Sequence, residues 1–471
     1  MATENTHFGA QAIGEMLREC KSIYFIGIGG INMSSLAHLS FVKGYRVGGS
    51  DRAESRLTRS LAECGIKINY SHDAENIEDY DAAVYTVAIS PDNPEYLRAK
   101  ERGIPCISRA DYLGFIMTSF GRRIGVSGMH GKSTCTSMCA LVFMLAGADP
   151  TVLSGAELSE MGGAYRLGKS ENFIFEACEY MDSFLDFNPS VAVVLNIEMD
   201  HVDYFESMEH IRRSYRSFAD ITGKDGSAVI NRDDGEVLLA MKDFEGETVS
   251  FGISSADADF RAVNIKDKKG RYCFDILKHG ELLCSVALSV SGYHNIYNAL
   301  AAAAVADGAG ILPEDIKHGL ESFKGAKRRM EYKGRLNGAA VYDDYAHHPT
   351  EVKATLEGAK RISEKRLWCV FQSHTYSRTK ALLDDFADSF GEADRVVIVD
   401  IYPARETDTL GMYPEVMAKR IGKNAVPCPK IEDAASLVKR ELEEGDTLII
   451  MGAGNIDKIF GMLKDDIKDI E

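Results

Sequence analysis

Residues 124–134, Ile-Gly-Val-Ser-Gly-Met-His-Gly-Lys-Ser-Thr, constrain this chain more than any other segment. An apolar run ends in glycines, and Lys132 and Ser133 then open an apolar, helix-like run. Strand, glycine turn and helix in that order belong to α/β architecture, and the same turn is a cradle for a nucleoside triphosphate. In such a cradle the N–H groups of Gly128, Met129, His130, Gly131 and Thr134 face phosphate oxygens, Lys132 reaches the β and γ phosphates, and Ser133 holds Mg²⁺. The usual pattern has a glycine where this chain has Val126, so the loop reads Gly128-Met-His-Gly131-Lys132-Ser133. The expected cofactors are ATP and Mg²⁺, with Mn²⁺ as a substitute.

With 471 residues the chain exceeds one hydrophobic core, and about three domains are expected. A formal net charge of −17 repels nucleic acid and anionic membranes, so neither is an expected partner. Anionic small molecules must then be held by local clusters of Lys, Arg and N–H groups. The segment Met-Ala-Thr-Glu-Asn-Thr-His lacks the basic-then-apolar order of a signal peptide, and no apolar run approaches the ~20 residues that span a bilayer. Ten cysteines are scattered without a CxxC pair. Cytoplasmic localisation is the expectation.

Three blocks alternate apolar strands with helices, as parallel sheets with crossover helices do. The first, 1–120, has strands at 22–28, 45–49, 82–87 and 105–108 and a helix at 33–43. The second, 121–330, has strands at 124–127, 173–177 and 191–196, a polar β-rich stretch at about 226–291 and an Ala-rich helix at 296–307. The third, 331–471, has strands at 340–343, 367–371, 395–400 and 447–451. The fold class is α/β: a Rossmann-like first domain, a central mononucleotide-binding domain with an added β-rich part, and a Rossmann-like third.

Other polar clusters sit at strand ends, where α/β sheets bind ligands. Gly27-Ile-Gly29-Gly30-Ile31-Asn32-Met33 resembles a dinucleotide fingerprint, with Ser50 and Asp51 ending the next strand. Asn32 replaces the third glycine, so NAD, a nucleotide-sugar diphosphate and an unliganded tight turn all stay open. Glu176 ends one central strand and His201 follows another, which makes both candidate Mg²⁺ ligands beside Ser133. His294, Asn295 and Asn298 open the Ala-rich helix and can meet an adenine edge. Arg329 lies in a basic triplet before the third block, suited to a transferring phosphoryl group. Asp344, His347 and His348 leave one strand of that block, His374 and Arg378 follow a second, and Tyr402 and Arg405 a third. Together they form a face able to receive a small zwitterion and an anion.

With these residues assembled, the chain resembles the Mur ligase family, the ATP-dependent amino-acid ligases of peptidoglycan precursor synthesis. The segments that carry the resemblance are GIGGINMS, GMHGKST, FEACEY, NIEMDH, GYHNIYNA, KRRME, DDYAHHPTEV, YSRT and GAGNI, spread over nearly the whole chain. The resemblance implies UDP-sugar binding by the first domain, through Gly29, Gly30, Ile31, Asn32, Met33, Ser50 and Asp51. It implies ATP binding by the central domain through residues 128–134, His294, Asn295, Asn298 and Arg329, with Ser133, Glu176 and His201 at the metal. Lys132, Arg329, Asp344, His347 and His348 would be catalytic, with His348, His374, Arg378, Tyr402 and Arg405 on the acceptor side. The implied reaction is ligation of L-alanine to the lactyl carboxylate of UDP-N-acetylmuramate through an acyl phosphate, by a monomer or homodimer.

Four departures stand out. Ser133 replaces the usual Thr. The acidic segment reads EACEY where many relatives have EADES, so only Glu176 carries over. Thr375 stands where many alanine-adding members have Arg. Many members carry a carbamylated lysine at the position of Arg216, and no lysine occurs between 170 and 223, an absence frequent among alanine-adding members. The rival readings are a ligase that attaches a recycled murein tripeptide to the same nucleotide, an NAD-dependent dehydrogenase resting on the first glycine loop, and a non-catalytic nucleotide-binding scaffold.

Overall fold

The computed structural model describes residues 3–202, 204–404 and 406–468. Its first sheet is parallel throughout, with the strands in the order Lys67–Asn69, Arg46–Ser50, Ser22–Ile26, Ala82–Tyr85, Cys106–Ser108. The strand Ser22–Ile26 is buried at every position, as a strand covered by helices on both faces requires. The order reverses at this strand, and the loop Gly27–Gly30 leaves its carboxyl end into the helix Ile31–Val42. Gly27 takes φ +84°, a conformation that glycine reaches without steric cost.

Among the described residues the central sheet has ten strands. Arg122–Ser127 lies between Val191–Val194 and Asn172–Glu176, parallel to both. The sheet continues from Val191–Val194 through Ser227–Asn231 and Glu247–Gly252 to Phe260–Lys268, where it turns antiparallel through Arg271–Lys278 and Glu281–Ser291. The β-rich stretch is therefore an extension of the nucleotide-binding sheet. The helix Lys132–Leu145 packs against the helix His294–Gly308, whose run of alanines from Ala301 to Ala304 is buried and lets the two backbones approach.

The third sheet runs Glu331–Leu336, Ala339–Asp344, Thr447–Met451, Leu367–Phe371, Arg395–Ile398, Ala425–Pro427, with the first strand antiparallel and the rest parallel. The strands expected at 340–343, 367–371, 395–400 and 447–451 are present, and Glu331–Leu336 and Ala425–Pro427, beyond those expected, add the two edges. No helix among the described residues is long and apolar enough to cross a membrane.

The apolar cores do not divide as the sheets do. Leu36 and Ala37 of the first domain and Phe173, Phe175, Phe184 and Phe218 of the central one belong to a single apolar cluster. Phe120 and Phe173 seal it with ring centroids 4.7 Å apart. The third sheet has its own clusters on its two faces, around Trp368 and around Phe371.

Gly319 marks the closest approach behind the nucleotide loop. A Cβ there would stand 2.5 Å from Cα of Val142, on the helix that begins at Lys132. Gly319→Ala is expected to cost about 1–3 kcal/mol, the scale of core overpacking. A lowered urea midpoint at unchanged slope would report it, whereas a parental midpoint would mean that the two helices part freely.

Candidate active site

The loop Gly128–Gly131 leaves the middle of the central sheet, at the strand whose neighbours end at Glu176 and Val194. Gly128 and Gly131 adopt φ +145° and +84°, and a Cβ on Gly131 would stand 2.7 Å from Oδ1 of Asn298. Glycine is therefore required both for the turn and for the approach of the Asn298 amide. Asn298 donates to Oδ1 of Asn295 (2.9 Å), and Asn295 donates to the carbonyl of Ser291 (2.7 Å), so the pair ties the start of the Ala-rich helix to the end of the strand before it. His294 is exposed beside them.

Lys132 opens the helix. Its ammonium donates to the carbonyls of Gly128 (2.6 Å) and Met129 (3.1 Å) and lies 3.0 Å from the Glu179 carboxylate. Burial disfavours the charged ammonium, but Glu179 outweighs it and holds the pKa above the ordinary lysine value. Glu179 is itself 1% exposed, and its second partner is Nε2 of His201 at 3.1 Å. Burial alone would raise its pKa, and Lys132 and His201 reverse the sign and lower it. The sequence assigned no role to Glu179, because the neighbouring Cys178 broke the acidic pattern. Glu176 occupies a different corner, where its Oε2 accepts from Ser133 Oγ (2.6 Å) and from the Gly155 N–H (2.9 Å). Ser133 and Glu176 thus offer adjacent hard oxygens of the kind that hold Mg²⁺. His201 faces Glu179 at 3.1 Å.

The third domain closes the site. Nε of Arg378 donates to Oδ1 of Asp200 (2.8 Å), and both side chains are buried. Burial would raise the Asp200 pKa, and the guanidinium drives it far below the carboxylate range. Arg378 also lies 3.5 Å from Nδ1 of His201 and 3.4 Å from Nδ1 of His374, so it links the central and third domains through one cation. His374 stacks on Tyr402 at 5.6 Å. Thr375 sits at φ +68° and donates its N–H to the carbonyl of Tyr402 (2.8 Å). Arg405 lies outside the described residues.

The polar residues leaving Ala339–Asp344 take separate duties. Asp344 accepts from the N–H groups of Met330 and Ala346, both at 2.8 Å, and from Thr355 Oγ1 at 3.3 Å. Its carboxylate is thus fastened to its own domain, where it shapes the loop. His347 Nδ1 meets the carbonyl of Tyr345 at 3.0 Å, which makes Nδ1 the protonated nitrogen and leaves the lone pair on Nε2. Burial pushes the His347 pKa down to about 3, so the ring is neutral. His348 Nε2 meets the carbonyl of Met199 across the domain seam at 3.2 Å. Arg329 lies 3.8 Å from Glu351 and 5.2 Å from the Tyr345 ring centroid.

Several expected ligand contacts fall elsewhere. The side chain of His130 turns towards the third domain, with Nε2 3.0 Å from Glu198 and Nδ1 3.3 Å from Glu351. Met129 and Met33 are core residues, packed into the cluster shared by the first two domains, so only their backbones can face a ligand. In the first domain Asp51 accepts from the Gly29 N–H (2.8 Å), which closes the glycine loop onto the next strand. Ser50 is fully buried and donates to Glu95 (2.6 Å), because the last residue of that strand points into the sheet's covering layer. Ile31 is exposed at the start of the helix. Arg216 is half-buried, paired with Asp220 at 2.7 Å and donating to the carbonyls of Lys242 and Asp243.

A glycine loop opening a helix, adjacent metal-type oxygens and a third domain packed over them are the arrangement expected of an ATP-dependent ligase. Residues 126–306 match the Mur ligase middle domain, residues 22–121 the Mur ligase family catalytic domain, and residues 328–454 the Mur ligase glutamate ligase domain. A UDP-N-acetylmuramate–L-alanine ligase of Acetivibrio thermocellus is 45% identical over 94% of this chain and 96% of its own length. One from Caldanaerobacter subterraneus subsp. tengcongensis is 46% identical over 93% and 96%. The crystal structure of the Thermotoga maritima UDP-N-acetylmuramate–alanine ligase superposes with a TM-score of 0.78 at 27% identity, covering 94% of this chain and 98% of that one. A murein peptide ligase of Psychrobacter arcticus shares the fold at 24% identity and a TM-score of 0.72, over 96% and 99% of the two chains. The chain belongs to the Mur ligase family.

Lys132→Ala is expected to lower turnover about 10²–10³-fold, the scale of one lost charge-stabilising donor. Parental turnover in steady-state assays would place the phosphates elsewhere. Glu179→Gln leaves a buried ammonium without its counter-charge and is expected to cost about 3–5 kcal/mol in urea denaturation. Unchanged stability would mean that the loop carbonyls alone satisfy Lys132.

Proposed function

We propose that this chain joins L-alanine to the lactyl carboxylate of UDP-N-acetylmuramate and cleaves ATP to ADP and phosphate in doing so. The observation that carries the reading is the 45% identity to a UDP-N-acetylmuramate–L-alanine ligase over 94% of the chain. The site supports it with a buried cation at the nucleotide loop and a neutral imidazole across the seam. In this reading the carboxylate attacks the γ-phosphorus in line, ADP leaves, and the amine of alanine attacks the resulting acyl phosphate, expelling phosphate. Lys132 and Arg329 neutralise the phosphoryl oxygens. Ser133 and Glu176 hold Mg²⁺, which supplies further charge neutralisation. Nε2 of His347 accepts the amine proton, and the anionic acyl phosphate beside it raises its basicity from the depressed value. Arg378, His374 and Tyr402 line the acceptor side. Gly29, Gly30, Ile31 and Asn32 face the UDP diphosphate. The enzyme works in the cytoplasm as a monomer or homodimer.

The test is ADP release with UDP-N-acetylmuramate and, in turn, L-alanine, glycine, L-serine and a murein tripeptide, with the sugar carboxylate labelled with ¹⁸O. L-alanine should give the highest kcat/KM, and label should appear in inorganic phosphate. Preference for the tripeptide would reassign the acceptor, and label absent from phosphate would exclude the acyl phosphate.

A further inference from the structure

The side chain of His130 leaves the nucleotide loop and meets two other potential metal ligands at the domain seam. Its Nε2 lies 3.0 Å from Oε2 of Glu198, and its ring lies 4.8 Å from the ring of His348. His130, Glu198 and His348 each bring one donor atom to within 4.8 Å of the others.

Each of the three has one donor atom engaged by a neighbour outside the cluster. Nδ1 of His130 faces the Glu351 carboxylate at 3.3 Å, so Nε2 is the inward nitrogen. Glu198 Oε1 accepts from Thr350 Oγ1 at 2.6 Å, which leaves Oε2 inward. His348 Nε2 points at the carbonyl of Met199 at 3.2 Å, which leaves Nδ1 with only a long 3.4 Å approach from the Thr350 N–H. Imidazoles whose far nitrogens face a carboxylate or a carbonyl are the usual surroundings of a metal-bound histidine. A cavity of about 300 Å³ opens beside Glu198 and His348, with Asp385 and Asp388 in its wall, and gives a cation a way in.

We propose that His130, Glu198 and His348 form a second divalent-cation site, distinct from the oxygens of Ser133 and Glu176, that takes a borderline ion of the Zn²⁺ type. Two imidazoles and one carboxylate suit such an ion, whereas Mg²⁺ takes oxygens. Three protein ligands also leave the fourth tetrahedral position to solvent. His130 and Glu198 come from the central domain and His348 from the third, so the ion clamps the two together. This site is independent of which acceptor the enzyme uses.

The test is Co²⁺ titration of the full chain without nucleotide and with Mg²⁺ in excess, read by the d–d absorption of tetrahedral Co²⁺ and by bound metal after gel filtration. The parent should bind Co²⁺, and Zn²⁺ should displace it. Glu198→Gln and His348→Gln should abolish the band. Thr350→Val, which removes only the hydroxyl that orients Glu198, should weaken binding about 10–100-fold. Glu176→Gln should leave the band unchanged. The proposal is overturned by a parent without the band. It is equally overturned by a band that survives Glu198→Gln and disappears in Glu176→Gln, since the ion would then belong to the phosphate side. If His348→Gln fails to fold by circular dichroism, Thr350→Val decides, and parental affinity in that variant overturns the site.

Discussion

The Glu179 carboxylate is the point on which the site depends. It is buried, and a buried charge persists only with partners. Its partners are the Lys132 ammonium on one side and the His201 imidazole on the other. His201 in turn faces Arg378, and Arg378 is neutralised by Asp200. The contacts Lys132, Glu179, His201 and Arg378 run from the nucleotide loop to the third domain, and Asp200 of the central domain neutralises the last of them. Any change at the loop therefore alters the electrostatics under the third domain, without a moving part between them.

Much of the architecture was legible because its signals are local. A buried apolar strand, a glycine turn and an apolar helix lie within about fifteen residues, the span over which periodicity speaks. The same holds for the strand ends that carry Glu176, His348 and His374. Pairings across the chain were not legible. Arg378 and Asp200 are separated by 178 residues, and no local pattern joins them. Glu179 escaped notice because the motif around it is interrupted by Cys178. Ser50 and Met33 look like ligand contacts in a motif, yet the pleat and the helix turn both inward. His130 shows the limit most plainly. Its loop is recognisable from the sequence, but the direction of its side chain depends on Glu351, 221 positions later, a partner supplied only by the third domain.

The seam between central and third domains is polar almost throughout. Thr350 with Glu198, His348 with the Met199 carbonyl, and Arg378 with Asp200 are directional contacts that lose their value over small displacements. Polar contacts of this sort hold a defined geometry when made and leave water-compatible surfaces when broken. That suits the proposed reaction, in which water must be excluded from an acyl phosphate and the products then released.

The first two domains meet differently, through the apolar cluster that runs from Leu36 to Phe218. Separating them would expose aromatic rings, so they behave as one cooperative body, and the third domain, with its private cores, as another. Scanning calorimetry of this chain should then resolve two melting units where the sheets suggest three. The hinge about which the enzyme breathes would fall near residue 330, where Arg328 and Met330 already hold left-handed backbone angles.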